Sequence, residues 1–140
     1  MTADAGPLAA PRPALRWALG ALAVAFALAT LLEGGSVLFG GPSARAAAGN
    51  VVPFVLVFNF VAGFGYVLAG VATLRQRRWA LWIARGLALS TLAVFVALAV
   101  HALLGGAFEP RTPVAMTLRS AFWIAQSLVL QRWSKAPRLA

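Results

Sequence analysis

Five side chains capable of acid–base or strong hydrogen-bond chemistry interrupt long apolar runs: Glu33, Asn59, Tyr66, His101 and Arg119. A carboxylate and a guanidinium brought to one place can pair, exchange protons with a neighbour or clamp a charged ligand. Other chemistries are poorly supplied. The chain has no Cys, which removes disulfides, thiol redox chemistry and thiolate metal sites. A single His with few acids makes a poor ligand set, so no metal is expected. Met116 reads as packing. No nucleophile triad or nucleotide-binding loop is visible, and the reading is of a non-enzyme without a cofactor.

These residues need elements to position them. Hydrophobic residues make up 61% of the chain and charged residues 11%, against about 25% charged in a soluble domain. Four apolar runs span residues 15–39, 51–74, 79–104 and 112–132. Each exceeds the roughly 20 residues needed to cross the hydrocarbon of a bilayer. Backbone groups in lipid must pair internally, and the period-two alternation of a β-barrel is absent, so the runs are helices. The expected fold is all-α: a polytopic membrane protein with an antiparallel four-helix transmembrane bundle over residues 15–132. A disordered tail over 1–14 precedes it and a short tail over 133–140 follows.

Local signals mark the ends. Asn50 is expected to cap the second helix, with Pro53 in its first turn. Thr112 and Pro113 open the fourth. Gly40, Gly41 and Pro42 stop the first helix, and Gly105 and Gly106 the third. The Arg75–Arg78 link is short enough to force a tight hairpin. Residues 43–48 have room for a helical turn. A signal peptide ending near Ala44-Arg45-Ala46 is the rival reading of the first run, which is far longer than a usual signal core.

Charge sets the expected orientation. Arg12, Arg16, Arg75, Arg77, Arg78, Arg85, Arg132, Lys135 and Arg138 share one side; only Arg45 and Arg111 flank the other. The positive-inside rule then places both termini in the cytoplasm of a multi-pass protein in a bacterial inner membrane. Trp17, Trp79, Trp82 and Trp133 fall at that same boundary as interfacial anchors. The net charge of +9 is therefore a topology signal, and nucleic acid is excluded as a partner.

With that orientation every helix offers one strongly polar group to the outer half of the membrane. From the rise per residue, Glu33 lies about 9 Å deep, Asn59 about 12 Å, Arg119 about 10 Å and His101 about 5 Å. Thr112, Met116, Arg119, Trp123 and Gln126 share one helical face; Ser90, Val94, Ala97 and His101 another; Asn59, Gly63 and Tyr66 a third. Glu33 and Arg119 are expected to pair, with Asn59, Tyr66 and His101 completing the network. Glu109, Arg111 and Thr112 stand at the pocket mouth, although a solvated loop is the simpler reading of Glu109-Pro110-Arg111. Alanines at 21, 25 and 29, and at 23 and 27, provide small-residue stripes for close helix approach.

The segments Glu33-Gly34-Gly35, Val52-Pro53-Phe54-Val55-Leu56 with Phe58-Asn59-Phe60, and Arg111-Thr112-Pro113 with Ala115-Met116 and Arg119 resemble a class of small four-span bacterial membrane proteins without an assigned activity. The resemblance covers about residues 15–132 and implies a class rather than a mechanism. Small multidrug transporters also carry a membrane Glu in the first of four helices. Here Glu33 stands near the far end of its helix and the charge bias is strong, so only the question about Glu33 carries over. Four-span quinone-linked thiol oxidoreductases need cysteines that this chain lacks. Two functional readings follow. One is an outer-leaflet polar pocket for ligand binding or transport; the other is a non-catalytic subunit or assembly partner whose polar network only sets helix register. The bilayer is the expected partner, with a homodimer or larger membrane complex as further options.

Overall fold

The computed structural model describes residues 12–135, which form five helices: α1 (Pro13–Phe39), α2 (Gly41–Ala48), α3 (Pro53–Leu74), α4 (Trp79–Leu103) and α5 (Arg111–Lys135). Residues 1–11 and 136–140, which hold most of the expected tails and Arg138, lie outside the described residues. The chain is a multi-pass membrane protein: all helices but α2 are long and apolar enough to cross a membrane. No strand occurs among the described residues.

The helix ends follow from local chemistry. α1 and α3 each begin on a proline, whose missing N–H is no loss in a first turn. The N-cap of α3 is Val52, in extended conformation and without a side-chain cap. Asn50 therefore does not cap α3 as expected; its backbone N–H donates to Glu109 Oε1 at 2.7 Å. α4 closes with Gly105 at φ 83° and the Gly106 N–H returning to the His101 carbonyl at 2.9 Å, a Schellman closure that only glycine enters freely. α3 closes the same way with Gln76 at φ 55° and Arg77 N–H bonded to the Ala72 carbonyl at 2.8 Å. α5 continues to Lys135, so residues 133–135 are helix rather than tail.

Packing is unequal around the bundle. α1 and α3 run antiparallel and approach most closely. Small residues let them approach: Gly20, Ala23, Ala27, Thr30 and Gly34 form the buried stripe of α1, and Gly63 and Gly70 of α3 face Thr30, Leu31, Gly20, Ala23 and Val24. A Cβ on Gly70 would stand 3.1 Å from the Gly20 carbonyl oxygen and 2.8 Å from Val24 Cγ2. The alternating spacing of three and four keeps one face of α1 inward. Of the two expected alanine stripes, that of Ala23 and Ala27 is buried, whereas Ala21, Ala25 and Ala29 are exposed.

α4 packs against both α3 and α5. Its inward residues are Ala80, Leu81, Ala84, Leu87, Ala88, Thr91 and Leu98, not the expected face through Ala97 and His101. α5 reaches α1 and α3 through long side chains. Phe122 meets Phe26 at 5.8 Å between centroids and Trp123 meets Tyr66 at 4.8 Å. Gln126 Nε2 donates to Thr73 Oγ1 at 3.1 Å. The result is a tight α1–α3 pair and a wider seam between α1 and α5, closed by aromatic rings near mid-bundle and left hollow toward the α2 end.

Gly70→Ala is expected to lower stability in detergent by about 1–3 kcal/mol, the usual cost of overpacking. Gly86→Ala meets nothing within 4 Å and is expected to leave the unfolding temperature unchanged or slightly raised. Thermal unfolding of the two variants, compared with the parent, checks the difference.

Candidate functional site

At the α2 end a cavity of about 160 Å³ opens between α1, α3 and α5. Thr30, Glu33, Gly34 and Val37 line it from one face of α1, at the i, i+3, i+4, i+7 spacing of a single helical stripe. Val55, Leu56 and Asn59 of α3 and Thr112, Ala115 and Arg119 of α5 form the other walls. Ala48, Val51, Val52, Glu109 and Arg111 border it at the loop end.

Arg119 is the innermost charge. It is only 8% exposed, one Nη donates to Thr30 Oγ1 at 3.3 Å, and the guanidinium lies 5.5 Å from the Phe26 ring centroid. Its buried Nε has no hydrogen-bond partner. A charge near the middle of a membrane helix costs about 2.5–3.5 kcal/mol on insertion scales. A cation–π contact offsets about 0.5–2 kcal/mol and a hydrogen bond from a charged group about 1.5–3 kcal/mol. These magnitudes are comparable, so the two contacts offset much of the cost of placing Arg119 there. Among the described residues its Nε–H nevertheless remains an unused donor.

The expected Glu33–Arg119 pair is not formed among the described residues. Both side chains border the same cavity, but Thr30 sits one turn further in than Glu33, about 4.5 Å along the helix. Thr30 and Phe26 draw the guanidinium inward, while Glu33 is exposed on the cavity edge. Asn59 is half-buried, with its Nδ2 3.7 Å from Met116 Sδ and its Oδ1 unpartnered.

The loop residues are tied down rather than freely solvated. Glu109 accepts from the Asn50 N–H at 2.7 Å. Arg111 donates to the Ala48 carbonyl at 2.8 Å. Gly49, at φ 76°, lies so close to the Glu109 carboxylate that a Cβ there would collide with it. Together these contacts strap the α2–α3 linker to the α4–α5 loop and roof the cavity.

Two expected members lie elsewhere. His101 Nε2 lies 3.0 Å from the Ala107 carbonyl and its ring meets Phe54 edge-on at 6.1 Å; it braces the α4–α5 loop. Tyr66 is fully buried below the cavity. Its hydroxyl lies among Arg119, Thr91 and Trp123 but closes no hydrogen bond of good geometry with them. Thr91, Ser120 and Trp123 likewise hold buried polar atoms without partners. Thr30, Phe26, Thr73 and Thr91 were not anticipated. Threonines pass as near-neutral in an apolar run, and only Thr30's place in the buried α1 stripe could have revealed it.

No protein-family model, curated protein or solved structure matches the chain. The site therefore stands on its own geometry.

Two outcomes test this description. Gln126→Leu removes the donation to Thr73 Oγ1, but that hydroxyl keeps its own bond to the Ala69 carbonyl at 2.7 Å, so the expected cost is only about 0.5–1.5 kcal/mol; a double-mutant cycle with Thr73→Val by thermal unfolding reads the coupling. Glu109→Ala frees the roof, and amide exchange at Asn50 is expected to accelerate about tenfold, as loss of roughly 1.4 kcal/mol of local protection implies.

Proposed function

We propose that this chain is a ligand-binding protein of a bacterial inner membrane, with the cavity on its outer half and Arg119 as the anchor for an acidic group. The observation that carries the reading is a buried guanidinium, without a carboxylate partner among the described residues, at the inner end of an accessible cavity. Ionisable groups inside spans are functional sites by default. The cavity is smaller than the roughly 300–1,000 Å³ of drug-sized sites, which suits a small head group or short acid. Orientation rests on the bias of Arg and Lys toward the Arg75–Arg78 end. Ligand capture or a transport step are both served by this arrangement.

The second reading is a structural subunit, favoured by the same residue's contacts with Thr30 and Phe26, which join α5 to α1. The two readings part in a thermal-shift experiment on the purified protein with octanoate, octyl phosphate and the neutral octyl glucoside. Binding predicts stabilisation by at least one acid-bearing probe, about 2.7 kcal/mol at a hundredfold excess over Kd. Arg119→Gln, which keeps a donor for Thr30, should abolish that shift while remaining folded. Absence of any acid-dependent shift in the parent protein leaves only the structural reading.

A further inference from the structure

Charge within the cavity is arranged in order. Arg119 lies at the inner end, bonded to Thr30, and Glu33 stands at the exposed edge one turn of α1 beyond Thr30. The other two charged lining residues are already engaged: Glu109 with the Asn50 amide and Arg111 with the Ala48 carbonyl. A plain anion on Arg119 would leave the Glu33 carboxylate close by and unfavourable. A plain cation at Glu33 would leave the buried guanidinium unserved. A molecule with an acid leading and an ammonium following satisfies both, and a two-carbon linker spans a distance of the order of that helical turn.

The walls indicate how such a molecule would arrive. The roof is strapped by hydrogen bonds, while α1 and α5 stay apart at the backbone and Glu33 is exposed at the cavity edge. Next to the cavity a second hollow of about 340 Å³ shares Val37, Val51 and Leu56 with it. The lining of this hollow is mostly apolar, with Arg45, which donates to the Leu38 carbonyl at 3.3 Å, as the charged residue in it.

Building on the pocket reading above, we propose that the site recognises a zwitterionic head made of an acid and a primary ammonium on a short linker, as in an ethanolamine phospholipid. Arg119 takes the acid, Glu33 takes the ammonium, and the acyl chains stay on the apolar side.

The full-length protein in detergent is titrated with dihexanoyl phosphatidylethanolamine, dihexanoyl phosphatidylglycerol and soluble phosphoethanolamine, and binding is read by calorimetry and thermal shift. The ethanolamine lipid should bind about fivefold more tightly than the glycerol lipid, the scale of a partly exposed ion pair. Glu33→Gln, a change at an exposed position, should erase or reverse that preference. Soluble phosphoethanolamine binding as tightly as the lipid supports the same head-group chemistry with an aqueous source. Equal binding of the two lipids, unchanged by Glu33→Gln but lost in Arg119→Gln, overturns the zwitterion and leaves the acid pocket standing. No binding of either lipid or of octyl phosphate overturns both.

Discussion

A guanidinium well inside a membrane-spanning helix must find partners that hydrocarbon does not supply, and the upper half of this bundle is organised around how Arg119 finds them. The residue reaches across from α5 to Thr30 and the face of Phe26 on α1. That reach ties α5 to α1 at the depth the surrounding packing sets. It also draws the charge away from Glu33, whose carboxylate stays at the cavity edge. The hollow between them is bordered by two opposite charges that do not neutralise each other directly.

The hollow exists because the helices pack by two different rules. α1 meets α3 through glycine and alanine, so their backbones approach closely. α5 meets α1 and α3 through Phe122, Trp123 and Gln126, which hold its backbone away. Rings fill the middle of that wider seam. Toward the α2 end the side chains facing it shorten to Gly34, Ala48 and Ala115, and space remains. The loops then act as part of the site: Glu109 and Arg111 bond across to the α2–α3 linker and roof the space.

Much of the architecture was legible in the chain. Apolar run length announced four spans, and prolines and glycines placed their ends within a few residues. The face of α5 was read almost completely, since Met116, Arg119, Trp123 and Gln126 are all buried. The face of α4 was misread because Ser90 and His101 invite an inward assignment. Ser90 instead satisfies itself on the Gly86 carbonyl of its own helix at 2.7 Å, and His101 serves the following loop. A small polar residue that bonds to its own backbone has no need of the bundle interior. The α1 stripe was only half found because alanines recur at several phases of that helix, and periodicity cannot choose among equals.

By itself the sequence determined the membrane environment, the number of spans and which charged groups lie within them. Those are one-dimensional properties: hydrocarbon thickness sets run length, and the cost of a charge in lipid makes Glu33 and Arg119 conspicuous wherever they point. Only the tertiary structure decided their partners. Whether Arg119 meets Glu33 or Thr30 depends on a helical turn of offset between α1 and α5. That offset is set by glycine contacts with α3 and aromatic contacts across the seam, and no single helix encodes it.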